Sequence, residues 1–237
     1  MLAKKKNEST ADKQAGHNNL TQQAYQDVRR MIFMNELRPG QKVDYRRMAV
    51  RLGMSLTPVV QALKQMELME LIQHEPNRGF FVKHISPKEI DEAFRLRELV
   101  EVSLIPHVIS HLDDESKQRL RVALNDYAKA SQGTFLKLRQ AKDMNFHMTL
   151  AGISEQTISI WILRYLLDFL YLRFEQELIF SRPLESAAIE HQRIFDYVIA
   201  KETQLASEAM RDHIRNVRAN ALEGLKSRLE DAEEIDI

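Results

Sequence analysis

MAVRLGMSLTPVVQAL, residues 48–63, is the stretch whose reading decides the fold. Ala49 and Gly53 stand four residues apart. Two helices that cross closely need a small side chain at the first position. The sharp turn between them favours glycine at the second, where φ is often positive. Asp44 is placed to cap a helix that runs to Leu52 and is ended by Gly53, and Ser55 to cap a second helix that runs to about Met69. Pro58 is tolerated in that second helix because the first-turn N–H groups have no helical partner. Val59, Ala62 and Leu63 share one side of it and are expected in the core, which leaves the other side for a partner.

Upstream, Ala24, Val28, Met31 and Ile32 recur at helical spacing between Leu20 and Leu37, and Arg38-Pro39-Gly40 breaks the chain as a turn. Downstream, Leu71-Ile72, then Glu75-Pro76-Asn77-Arg78-Gly79, then Phe80-Phe81-Val82 read as strand, tight turn and strand. A helix, a helix-turn-helix and a hairpin in that order make a winged helix-turn-helix over residues 19–85. Residues 1–18 are polar and aperiodic and are expected to be a disordered arm.

Ser86-Pro87 opens a second region, with Ser86 at an N-cap and Pro87 at the first helical position. From there no strand pattern occurs. Six helices are expected, over 87–111, 114–131, 134–152, 156–180, 183–200 and 203–230, followed by an acidic tail at 231–237. The chain is therefore expected to be mainly α: a winged helix-turn-helix followed, over 86–230, by an all-α antiparallel bundle of six helices.

The formal net charge is zero, yet residues 1–86 carry fourteen Lys and Arg against eight Asp and Glu, and the remainder is acidic by the same margin. A basic half joined to an acidic half suggests that a polyanion meets the first half alone. Arg29, Arg46, Arg47, Arg51, Lys64 and Arg78 are candidates for phosphate contacts. The longest apolar stretch, Ile158–Leu172, is broken by Arg164 and Asp168, so no membrane span is expected. The basic start lacks the apolar run of a secretory signal, and the chain has no cysteine; a cytoplasmic location fits both.

Three of the eight histidines form a pattern. Asp143 and His147 stand at i, i+4 on one helix face; His191 and His213 each lie mid-helix, the first flanked by Ile189 and Ile194, the second by Met210 and Val217. If those helices face one another, one carboxylate and three imidazoles can hold a divalent ion with positions left open. Spacing alone leaves satisfied core histidines as the alternative. Trp161, Phe169, Tyr171 and Phe174 are expected in the core, with one of them available to wall a cavity. His74, His107 and His111 read as solvated surface.

Residues 20–82 resemble the DNA-binding domain of GntR-type transcription regulators, on the segments LRPGQKV, MAVRLGMSLTPVVQAL and NRGFFV. The resemblance implies that Arg46, Ser55, Thr57 and Gly79 contact operator DNA or shape the contact. Arg29, Arg47 and Arg78 join them as phosphate candidates. Two positions depart from the family: Leu56 stands where a polar group or arginine is usual, and Val60 where arginine is nearly constant.

Residues 87–226 resemble the FCD ligand-sensing domain, the all-helical partner of one GntR branch. The matching residues are Arg97 to Glu101, Asp143 to His147 and EHQRIFDYVIAKETQLASEAMRDHI at 190–214. The resemblance implies a divalent metal on Asp143, His147, His191 and His213, zinc first among zinc, nickel, manganese and iron, with a small organic acid at its open positions. Arg97 would clamp the carboxylate, with Glu101 beside it; an i, i+4 salt bridge between these two is the competing role.

The expected protein is a homodimeric, ligand-responsive repressor. The alternatives are a regulator in which the metal is itself the signal or is only structural, and a metal-dependent hydrolase. The hydrolase lacks a general base beside the cluster and would leave the winged helix without a role.

Overall fold

A computed structural model describes residues 19–34, 36–84, 86–133, 135–173 and 185–235. The expected arm at 1–18, the segment 174–184 that includes Phe174, and residues 236–237 lie outside the described residues. The chain divides into two compact units, Met1–His84 and Ile85–Ile237.

The first unit begins with α1, residues 19–33, whose Ala24, Val28, Met31 and Ile32 are buried at helical spacing. It continues with β1 (Lys42–Val43), α2 (Tyr45–Leu52), α3 (Leu56–Leu68), β2 (Ile72–Glu75) and β3 (Gly79–Val82). Asp44 caps α2 by accepting from the Arg47 N–H at 3.0 Å. Gly53 ends it in the left-handed region at φ 63°, and its N–H bonds back to Val50 O. Val59, Ala62, Leu63 and Met66 bury one side of α3.

The sheet has the order β1-β3-β2, antiparallel throughout, with Val43 opposite Phe80 and Ile72 opposite Val82. Strand β1 is an addition to the two-stranded hairpin expected above. Two residues are too short a run for alternation to register, and the pairing is fixed from outside by Phe80 and Phe81.

Among the described residues the second unit has six helices: α4 (Pro87–Ser110), α5 (Asp114–Ser131), α6 (Leu136–Ile153), α7 (Thr157–Arg173), α8 (Glu185–Ile199) and α9 (Thr203–Ile235). A capping box starts α4, in which Ser86 Oγ accepts from Glu89 N at 3.2 Å and the Glu89 carboxylate accepts from Ser86 N at 2.8 Å. Helix α9 runs on to Ile235, past the expected end at 230, so residues 231–235 continue the helix instead of forming a separate tail. Ala, Glu, Leu and Lys dominate its last turns, and neither Gly nor Pro follows Gly224 to stop it.

Helix α4 is the centre of the packing, against α6, α7, α8 and α9, while α5 packs on α6 and α8. Ion pairs fasten α4 to α9: Glu98 accepts from Arg215 Nη2 at 2.8 Å, and Asp91 accepts from Arg218 Nε at 2.6 Å. This arrangement turns the inner faces of α4, α6, α8 and α9 toward one another. Among the described residues no helix is long and apolar enough to cross a membrane.

Candidate nucleic-acid interface and candidate metal centre

The residues expected at an operator lie on the outside of the first unit. Arg46 and Arg47 are exposed on α2, and among the described residues neither guanidinium has an ion-pair partner. Ser55 begins α3 with its hydroxyl uncommitted to the cap, and Thr57 is exposed one residue into the helix. Arg78 is exposed at the tip of the β2–β3 wing. It pairs with Glu75, and its guanidinium lies 5.2 Å over the Phe81 ring. Gly79 has φ 102°, a conformation that side-chain-bearing residues rarely adopt, which is why the wing turns there. Arg29 is half-buried on α1. His74 is exposed on β2, with its ring 4.6 Å from that of Phe80.

In the second unit, sequence positions spread over seventy residues converge. One ligand atom from each of Asp143 and His147 on α6, His191 on α8 and His213 on α9 lies within 4.8 Å of every other. His147 Nε2 stands 3.2 Å from His191 Nε2 and 3.8 Å from Asp143 Oδ2, and His191 Nε2 is 3.3 Å from Asp143 Oδ1. Donors bound at about 2.1 Å to one ion sit roughly 3–3.5 Å apart at tetrahedral or octahedral angles. The two shortest separations, at His191 Nε2, fall in that range, so the cluster is one that can hold a first-row divalent ion.

The outer nitrogens support the same assignment. His147 Nδ1 is 2.6 Å from Glu101 Oε2 and His213 Nδ1 is 2.8 Å from Glu190 Oε2, so each carboxylate takes the ring N–H and leaves Nε2 as the bare donor. His213 Nε2 is buried without a hydrogen-bond partner. His191 is oriented by rings instead, edge-on to Tyr127 with centroids 4.3 Å apart, and its Nδ1 has no partner.

All three imidazoles are fully buried, and burial sets the titration of His147 and His191. It lowers His147 below the ordinary histidine range in spite of Glu101, and lowers His191 much further, with His213, His147 and Arg97 adding to the effect. His147 and His191 are thereby held in the neutral, metal-binding form. Burial alone would raise Glu101. The fields and hydrogen bonds of His147 and Arg97 outweigh it and hold the carboxyl at about 2.

Arg97, expected as a carboxylate clamp, is completely buried and donates through Nε to Glu101 Oε1 at 2.5 Å, while its Nη2 has no hydrogen-bond partner. The i, i+4 bridge is therefore formed, and part of the guanidinium is left over. Glu101, expected beside a ligand, commits its two oxygens to Arg97 and His147 and serves to orient the histidine.

Three residues at this site were not anticipated, and a fourth, Tyr171, was anticipated only as a core or cavity-wall aromatic. Glu190 holds His213 and is itself held by Asn216 Nδ2 at 2.7 Å. Tyr171 donates its hydroxyl to Asp143, and Arg139 is buried one helical turn before Asp143. Only Arg139 had a usable signal, its i−4 spacing from Asp143. The others depend on which helices meet. One expectation is corrected: Trp161 is 59% exposed and not in the core. Ile189, which flanks His191 in sequence, is 67% exposed, since two residues of helix turn it away from the face of that histidine.

Residues 20–82 match the family model for bacterial regulatory proteins of the gntR family, and residues 92–216 match the FCD domain model. The chain is 25% identical over 217 residues to the HTH-type transcriptional regulator YdhC of Bacillus subtilis (strain 168), an alignment covering 90% of this chain and 93% of that one. It is 24% identical over 202 residues to the HTH-type transcriptional repressor RspR of Escherichia coli (strain K12), covering 84% and 87%. Among solved structures, E. coli McbR/YncC superposes with a TM-score of 0.75 at 19% identity, covering 86% of this chain and 97% of that one, a likeness of fold.

Proposed function

The chain belongs to the gntR family of bacterial regulatory proteins, in the branch that carries an FCD domain, and on that premise we propose that it is a metal-dependent, carboxylate-responsive repressor. That it is a DNA-binding transcription regulator and not an enzyme follows from the family itself. The rest is the reading that the geometry supports best.

Residues 19–85 form the head that meets duplex operator DNA through Arg29, Arg46, Arg47, Ser55, Thr57, Arg78 and Gly79. Residues 86–230 form the sensing domain. Two chains pair so that two heads reach two half-sites of one operator in the cytoplasm. Asp143, His147, His191 and His213 hold one divalent ion, zinc foremost. Such an ion supplies a Lewis-acid anchor for an oxygen ligand. Arg97 Nη2, buried and unpaired, is the chain's own group for the other oxygen of a small carboxylate. A carboxylate that fits one arrangement of the helices better than another shifts the population and with it the operator affinity. That a relative bears the name repressor supports that sign of control.

The observation that carries this reading is the convergence of three histidine donors on Asp143, with the outer nitrogens of two of them pinned by Glu101 and Glu190. The test is metal analysis of the purified full chain together with duplex retention. One divalent ion per chain, lost with His191→Ala, and an operator complex whose affinity changes on addition of carboxylates are expected. A metal-free protein that cannot be loaded with zinc would overturn the sensing reading. Operator affinity that follows zinc alone and ignores every carboxylate would make the ion the signal.

A further inference from the structure

The surface of α3 turned away from the core carries an unusual choice of residues for a helix that reads bases. Val59, Ala62, Leu63 and Met66 face inward. At 100° per residue, Leu56 and Val60 lie together one turn apart along the edge of the outward face, next to Thr57 and Lys64. Leu56 is 45% exposed and Val60 is half-buried. Solitary exposed aliphatics are ordinary, but two in register at the N-terminal end of this helix are not solitary. The first turns of a recognition helix are the part that reaches base edges.

Apart from the short hydroxyls of Ser55 and Thr57, the polar readers are elsewhere or occupied. No guanidinium stands in the first turns of α3, so the two-pronged grip on guanine is absent there. Gln61, the residue type that reads adenine, accepts from Thr21 Oγ1 at 2.9 Å through its Oε1 and so ties α3 to α1. The cations Arg46 and Arg47 on α2 and Lys64 on α3 are exposed and suit phosphates rather than bases. The only apolar feature in the major groove is the thymine 5-methyl group.

We propose that Leu56 and Val60 are thymine readers: each covers a thymine methyl in the operator half-site, and together they set a preference for thymine where an arginine would select guanine. The inference rests on the reading of α3 as the helix that enters the major groove. Specificity of this kind depends on excluding water from a methyl group, so removing that single methyl costs affinity by about fourfold, the worth of one buried carbon.

The experiment uses the full-length protein. Duplexes with a randomised centre are selected for binding, and the best duplex is then remade with deoxyuridine in place of one thymidine at a time, which removes the methyl and leaves the base pair. The expected result is a thymine-rich core in which at least two positions per half-site each lose about fourfold with deoxyuridine. Leu56→Ser should abolish discrimination at one of them and Val60→Ser at the other. Each variant should keep the wild-type circular dichroism spectrum at the assay temperature, which shows that its head is folded. Equal wild-type affinity for the thymidine and deoxyuridine duplexes, or variants that still discriminate, would overturn the thymine reading and leave α3 as the reading helix. Failure to enrich any sequence would overturn both.

Discussion

In the first unit the residues proposed to meet DNA are on the outside: Arg46, Arg47, Ser55, Thr57 and Arg78 are all exposed, on a helix end, a second helix and a wing tip. In the second unit the residues proposed to hold an ion are on the inside. His147, His191 and His213 have no exposed surface and come from three helices. The head depends little on how its reading groups are held, because a phosphate contact tolerates a mobile side chain. The cluster depends on it entirely, because a ligand displaced by an ångström no longer closes a coordination shell. Substitutions should therefore act weakly and additively in the first unit, and strongly and jointly in the second.

The largest effect is expected from Glu101→Gln. It leaves Arg97 buried beside a neutral partner and releases His147, so it should cost the second unit about 3–5 kcal/mol, as breaking other buried pairs does. Denaturant unfolding followed through Trp161, the one tryptophan of the chain, reads this directly. A change below about 1 kcal/mol would show the pair to be dispensable. Next comes His191→Ala, expected to weaken zinc affinity by about a hundredfold or more, since even outer partners of metal ligands are worth 10–100-fold. Competition with a chelator measures it. Operator binding in the absence of carboxylate should survive that change.

How legible each unit was in the sequence follows the same division. Asp44, Gly53 and Ser86 do what local rules predict, because a cap or a left-handed turn is decided within four residues, whereas Ser55 takes the N-cap position without making the cap bond. From spacing alone the cluster was legible only as far as one helix face, Asp143 with His147; the resemblance to the FCD domain added His191 and His213. That α8 and α9 bring His191 and His213 to the same point depends on long-range packing that periodicity does not encode. The same limit explains Glu190 and Tyr171, whose roles exist only once neighbouring helices meet, and Ile189, which shares a helix with His191 but not a face. Strand β1 was missed for a related reason: its partner in β3 lies almost forty residues away.

Smaller effects sharpen the contrast on the side of the head. An added Cβ at Gly53 would meet nothing within 4 Å, so Gly53→Ala should cost only the backbone strain of a left-handed turn, about 1–2 kcal/mol. Circular dichroism of the first unit's unfolding checks this, and a larger loss would point to contacts that the turn makes. The smallest effect is expected from Arg47→Ala. It should lower the salt dependence of operator binding by about 0.9 in the log–log slope, the share of one phosphate, with the sequence preference unchanged. A change in preference at constant slope would make Arg47 a base reader.

The most direct test of the account joins the two units. Affinity of the full-length, zinc-loaded protein for its selected duplex would be measured with and without a panel of small mono- and dicarboxylates, alongside His213→Ala. The account predicts that at least one carboxylate shifts wild-type affinity by about fivefold or more, the lower range of allosteric coupling, and that the same acid leaves His213→Ala unmoved. Identical responses of the two proteins would contradict it, because the cluster would then play no part in sensing.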